Sequence, residues 1–275
     1  MSAFPSSHPR SDIVTRLRAA GCVFPEDEAR LLVSAARTPA DLAAMVDRRA
    51  SGLPLEHVLG WAEFCGLRIA VDPGVFVPRH RTEFLVRQAA ALARVAASPS
   101  TALARPRAVV VDLCCGSGAV GAALVAALDW VELYAVDLDP AAARCARRNV
   151  AAAGGQVYEG DLYEPLPATM RGRVDVLVAN APYVPTEVVR LLPPEARMHE
   201  PRMALDGGAD GLDILRRVIA AAPIWLAPGG HLLIEASERQ APQTVDAVAS
   251  SGLIPRLVGS EELNATVVIG TRPAR

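Results

Sequence analysis

Asn180-Ala181-Pro182-Tyr183 places an amide, a stiff turn and a phenol ring in four consecutive positions. The tetrapeptide follows an apolar run, Val174-Asp175-Val176-Leu177-Val178-Ala179, that reads as a buried parallel strand. An asparagine at the carboxyl end of such a strand can accept the hydrogens of a planar NH2 group and press its nitrogen toward an electrophile. An amide nitrogen needs that help, because its lone pair is delocalised into the carbonyl. Alignment with the reacting carbon lowers the barrier. Acceptors placed on both N–H bonds stabilise charge as it develops. The side-chain oxygen of Asn180 and the backbone carbonyl of Ala181 suit that role, and Tyr183 can pack on the flat group. The chemistry such a site supports is methylation of an amide or amino nitrogen, without a strong general base. A plain loop closing a strand is the competing reading.

A second set of residues fits the binding of the electrophile. Val109-Val110-Val111-Asp112-Leu113-Cys114-Cys115-Gly116-Ser117-Gly118 reads as strand, tight glycine turn and helix start. Glycine lets backbone approach a ligand and take positive φ. Asp137, followed by Leu138, ends the next strand about twenty residues on, where a ribose-binding carboxylate belongs in a nucleotide-binding sheet. Asp161, followed by Leu162, comes after the third strand and can meet an adenine amino group. The full dinucleotide glycine pattern is absent, and the chain contains no lysine to serve a phosphate loop. S-adenosylmethionine has no phosphate and requires neither. The candidate cofactor residues are Asp112, Cys114, Cys115, Gly116, Ser117, Gly118, Asp137, Leu138 and Asp161. The alternative is that Gly116 and Gly118 only permit a turn and Asp137 only caps a helix.

The elements that must position these residues follow from periodicity. Three short helices are expected over 11–20, 25–36 and 38–49; Thr38-Pro39 supplies an N-cap and an N1 proline for the third. They are too few to bury a core alone. A β-hairpin is expected over 63–71 and an amphipathic helix over 82–97. From residue 108 the pattern alternates. Strands are expected at 108–112, 131–136, 156–158, 174–179, 231–236, 254–258 and 265–269, with helices near 118–128, 141–153, 211–222 and 240–251. That alternation predicts an α/β fold, a doubly wound, mostly parallel seven-stranded sheet with an antiparallel hairpin at one edge. The resulting division is a helical region 1–52, a hairpin connector 53–81 and a Rossmann-like domain 82–275. The Pro/Ser-rich stretches at 1–10 and 98–107 read as disordered and as a linker or loose loop.

Composition narrows the classes. The 275 residues carry a formal net charge of −2, and every strong cation is arginine. A near-neutral chain lacks the broad electrostatic footprint of a sequence-independent nucleic-acid binder. The five cysteines, Cys22, Cys65, Cys114, Cys115 and Cys145, fit no zinc spacing and read as reduced, so no metal is expected. Residues 1–10 hold no long apolar core, and no apolar run is long enough to span a bilayer. A cytoplasmic monomer that binds neither membrane nor, stably, nucleic acid is expected.

Several separated segments, in order, resemble the HemK/PrmC family of protein N5-glutamine methyltransferases. They are Pro54-Leu55-Glu56-His57-Val58-Leu59-Gly60, Glu63-Phe64-Cys65-Gly66-Leu67 and Val77-Pro78-Arg79-His80-Arg81-Thr82-Glu83. Further on come the tetrapeptide, Glu200-Pro201-Arg202-Met203-Ala204-Leu205-Asp206-Gly207-Gly208-Ala209-Asp210-Gly211-Leu212, and Leu226-Ala227-Pro228-Gly229-Gly230 with Ile234-Glu235. The resemblance covers nearly all of residues 50–272. It implies the class I S-adenosylmethionine-dependent methyltransferase fold, with cofactor held by Cys114 to Gly118, Asp137, Leu162 and Asn180. It also implies that Asn180, Ala181, Pro182 and Tyr183 hold a substrate glutamine. Family members act on the Gly-Gly-Gln loop of peptide-chain release factors or on a ribosomal protein. Two departures stand out. The family's usual Asn-Pro-Pro-Tyr has Ala181 at its second position, which forgoes roughly 0.4–1 kcal/mol of preorganisation. The N-terminal helical region, which the resemblance implicates in docking release factors, is short. Other readings are a paralogue acting on another protein or a small amide or amine, a nucleic-acid adenine N6-methyltransferase, and a cofactor-binding protein without catalysis.

Overall fold

A computed structural model describes residues 10–96 and 107–274 of the chain. Of the stretches expected to be disordered or loose, 1–10 and 98–107, residues 1–9 and 98–106 lie outside the described residues, and Arg10 is instead the first residue of a helix.

The first three helices are α1 (Arg10–Ala19), α2 (Pro25–Ala35) and α3 (Pro39–Ala50). Thr38 caps α3 as its sequence predicts: its Oγ1 accepts the Asp41 N–H at 3.1 Å. A short helix that periodicity missed, α4 (Leu55–Leu59), joins them; five residues are too few to show a period. Ile13, Leu17, Leu32, Val46 and Val58 form a small core of their own. The hairpin follows as β1 (Trp61–Phe64) and β2 (Leu67–Ala70), antiparallel with Phe64 opposite Leu67. A 3₁₀ turn, His80–Thr82, leads into α5 (Glu83–Ala96).

The alternating part comprises β3 (Ala108–Leu113), α6 (Ala119–Ala127), β4 (Val131–Asp137), α7 (Pro140–Val150), β5 (Gln156–Glu159) and β6 (Val174–Ala179). Then come α8 (Thr186–Val189), α9 (Pro194–His199), α10 (Asp213–Trp225), β7 (Leu226–Ala236), α11 (Ala241–Ser250), β8 (Ile254–Ser260) and β9 (Ala265–Thr271). Seven strands form one sheet in the order β5-β4-β3-β6-β7-β9-β8. Only the pairings made by β9 are antiparallel. The terminal hairpin therefore does close one edge, with β9 inserted between β7 and β8. Two local expectations are corrected. β7 starts at Leu226, not His231, because Leu226 already pairs with Val174 ahead of an irregularity in register. The loop after β6 contains α8 and α9, each too short to announce itself.

Strand alternation sorts the core into two layers. Val109, Val111, Leu113, Leu177 and Ala179 face one side, with Leu215 and Val218 of α10. Val110, Val176 and Val178 face the other, with Leu85 and Ala89 of α5 and Leu124 of α6. Every residue of β3 is buried, which explains why its only polar residue is Asp112. The chain moves from β3 to β4 on one side and returns to β6 on the other. The carboxyl ends of β3, β4 and β6 thus converge at a switch in strand order, where doubly wound sheets open a crevice.

Candidate active site

A cavity of about 620 Å³ opens at that switch. Cys114, Gly116, Asp137, Leu138, Asp161, Leu162 and all of Asn180, Ala181, Pro182 and Tyr183 line it. The two sets of residues singled out by type and spacing thus share one chamber. Asp112, Cys115, Ser117 and Gly118 stand behind its wall. Asp112 is fully buried beneath α6, where its Oδ2 accepts the Gly121 N–H at 2.9 Å. Burial pushes its carboxyl up to about 7. Cys115 donates its N–H to Val136 O at 3.0 Å, and the Ser117 carbonyl accepts from Asn149 Nδ2 at 2.7 Å. Gly118 is small for packing: a Cβ there would lie 2.9 Å from Ala146 Cβ. These four shape the glycine turn from behind.

Asp137 is fixed by backbone. Its Oδ2 accepts the Gly116 N–H at 2.7 Å and its Oδ1 accepts the Asp139 N–H at 2.9 Å. Each oxygen keeps a second lone pair, so the carboxylate can still receive hydroxyl donors in a set orientation. Burial raises its pKa, against these two hydrogen bonds that lower it. Asp161 accepts from Arg217 Nη2 at 2.6 Å. Arg217, on α10, also lines the cavity. Its position 56 residues along the chain gave sequence reasoning no signal. The glycine-turn backbone, two wall carboxylates and apolar Val136, Leu138, Leu162 and Ile214 suit a ligand with hydroxyls, an adenine ring and a positive sulfonium. The described residues thus fit S-adenosylmethionine.

Asn180 donates from Nδ2 to the Thr82 hydroxyl at 3.2 Å. This contact leaves its carbonyl oxygen as the acceptor end for a ligand. Tyr183 is held at its hydroxyl, which takes a hydrogen from Arg81 Nη2 at 2.6 Å and gives one to Glu235 Oε1 at 3.1 Å. Burial, then the nearby Glu235 carboxylate, push the phenol up to about 12, so it remains a donor at neutral pH. Arg79 grips Glu200 through both carboxylate oxygens at 2.7 and 2.6 Å, and both residues line the cavity.

The glycine-rich segment supports the tetrapeptide from below. Val184 N–H reaches Leu205 O at 2.9 Å, and Gly207 N–H returns to Val184 O at 2.8 Å. A Cβ on Gly207 would come within 2.6 Å of Pro182 O and 2.8 Å of Tyr183 Cα. Gln240, at the start of α11, adds a bond from Nε2 to Tyr183 O at 2.9 Å. The backbone carrying the acceptor groups is thus clamped on two sides.

Comparison with known proteins agrees with this geometry. The family model for the methyltransferase small domain matches residues 93–192. A release factor glutamine methyltransferase of Geobacter sulfurreducens is 38% identical over 239 residues, covering 85% of this chain and 79% of that protein. A 4-amino-L-phenylalanine/4-methylamino-L-phenylalanine methyltransferase of Streptomyces pristinaespiralis is 38% identical over 190 residues, covering 69% of this chain and 63% of that protein. A crystal structure of a methyltransferase from Pyrococcus furiosus superposes with a TM-score of 0.53 at 15% identity, over 76% of this chain and 90% of that one. The Pyrococcus protein shares the fold alone. Identity at more than twice that level across most of both sequences goes beyond a shared fold, and by it the chain belongs to the release factor glutamine methyltransferase family.

Proposed function

We propose that this protein methylates the side-chain amide nitrogen of a glutamine in a peptide-chain release factor, with S-adenosylmethionine as the methyl donor. The observation that carries the reading is the shared cavity, in which Asp137 and the glycine turn face Asn180 and Tyr183. When bound, S-adenosylmethionine supplies an electrophilic methyl group on a sulfonium. The residues of the chain do the rest. Asp137, Gly116 and Leu162 hold the donor. Asn180 Oδ1 and the Ala181 carbonyl accept the two amide hydrogens, which points the nitrogen lone pair along the line of attack. Tyr183, its hydroxyl tethered by Arg81 and Glu235, packs against the planar amide. The four helices before the hairpin dock the protein substrate. No helix of the described residues is long and apolar enough to cross a membrane.

The test is transfer of labelled methyl to purified release factor, ribosomal protein, duplex DNA, RNA and 4-aminophenylalanine in separate reactions. Label on the release factor that disappears when its Gly-Gly-Gln glutamine is replaced supports the proposal. Label on the small amine or on nucleic acid, with none on the release factor, refutes it.

A further inference from the structure

We infer that Thr82 is a positioning residue for methyl transfer, its buried hydroxyl accepting from Nδ2 and so holding the Asn180 side chain in place at the cavity. The inference rests on the role proposed above for Asn180. An asparagine side chain has a broad last torsion and two ends of opposite polarity. Turned with its NH2 into the cavity, Asn180 would meet an incoming NH2 group donor against donor. A partner that accepts from Nδ2 from behind anchors the side chain with Oδ1 toward the cavity. Thr82 is that partner at 3.2 Å, and only 2% of it is exposed.

The support behind Thr82 is rigid. Its own N–H donates to Arg79 O at 2.9 Å, closing the turn. The helix that follows packs Leu85 and Ala89 against Val176 and Val178 of β6, the strand that delivers Asn180. The neighbouring Arg81 holds the other end of the tetrapeptide through the Tyr183 hydroxyl at 2.6 Å. Two consecutive side chains of one turn therefore grip Asn180 and Tyr183, 98 and 102 residues further along the chain. This turn sets the spacing between the acceptor amide and the ring that packs against it.

The test compares wild type, Thr82→Val and Thr82→Ser. Valine approximates the shape but removes the hydroxyl; serine keeps it. Thr82→Val is expected to lower kcat roughly 10-fold, the effect of one neutral hydrogen bond. KM for the release factor and the cofactor Kd should stay within about twofold, and serine should restore most of kcat. An undiminished kcat in Thr82→Val, or a serine variant as slow as the valine one, overturns the inference. A second readout needs no acceptor. The chain has three asparagines, Asn149, Asn180 and Asn264, so isotope-labelled asparagine gives three side-chain amide signals. Asn180 NH2 exchange with solvent should be slow in wild type and Thr82→Ser and fast in Thr82→Val. Asn149, held by the Ala70 and Ser117 carbonyls, should not change and reports that the fold is intact. If wild type leaves the release factor unmethylated, the substrate reading fails while this measurement still decides the contact. Fast exchange of Asn180 in wild type overturns the inference, whatever the variants do.

Discussion

At the scale of residues, the central matter is how a weak nucleophile is made to react. The geometry answers with acceptors, not with a base: an asparagine oxygen and a backbone carbonyl at a strand exit. Replacing the side-chain acceptor, Asn180→Ala, should lower kcat by about 100- to 1,000-fold, the cost of removing one oriented transition-state group. Cofactor affinity, measured by calorimetric titration, should fall far less than kcat, because Gly116, Asp137 and Leu162 remain in place. Full activity in that variant means that the amide clamp is wrong. Ala181 is 1% exposed and belongs to the core beneath the cavity. Its carbonyl would survive replacement by proline. Ala181→Pro should therefore alter kcat by only about 2- to 5-fold, the range set by backbone preorganisation. A gain of several hundredfold would indicate that the chain has drifted toward another acceptor.

Among elements, the strand exits deliver the chemistry and glycine contacts hold them there. Gly207 lies against the Pro182 and Tyr183 backbone with no room for a side chain. Gly207→Ala should lower stability by about 1–3 kcal/mol through overpacking, read from denaturant midpoints, and should slow transfer because the acceptor loop must shift. Unchanged midpoint and rate would remove the buttress from the account. Asp112 ties β3 to the first turn of α6 through Gly121. Its folded pKa, raised to about 7 by burial, exceeds the usual carboxylate value of about 4. Between those values the folded state binds the proton more tightly, so this contribution to stability is full below about pH 4 and is lost as pH rises through 7. Asp112→Asn keeps an acceptor for Gly121 and cannot ionise. Melting temperatures measured from pH 4.5 to 7.5 should show wild type losing ground to the variant as pH rises. A constant difference across that range would contradict the assigned shift.

For the whole molecule, one arginine links the N-terminal helices to the cavity. Arg49 of α3 reaches Glu28 of α2 at 2.5 and 3.1 Å and Glu195 of α9 at 2.7 Å. Its side chain is 6% exposed and that of Glu28 is 10%, whereas Glu195 is 47% exposed. Removing Arg49 strands the Glu28 charge in a desolvated site, and Arg49→Met should cost about 3–5 kcal/mol. Glu195→Gln should cost under about 1 kcal/mol, as for an exposed pair. Denaturation curves followed by a probe in the N-terminal helices would separate the two; equal losses would rule out this ordering. Glu195 also lines the cavity, as do Pro54 and Glu56, so the N-terminal helices form part of its wall.

Local order set much of this protein. Alternation and glycine turns in the sequence predict seven strands in one mostly parallel sheet, and the strand exits that carry Asp137 and Asn180 are visible as the ends of largely apolar runs. Those features are local: a pleat repeats every second residue, and a turn needs its own small residues. Tertiary structure alone decided the partners. Thr82 with Asn180, Arg81 with Tyr183 and Glu235, Arg79 with Glu200 and Arg217 with Asp161 lie from 56 to 154 residues apart. No periodicity links such positions. It also decided that Asp112, Cys115, Ser117 and Gly118 sit behind the cavity wall. A strand-turn-helix pattern fixes the path of the backbone, but which atoms face a ligand depends on the elements packed around it.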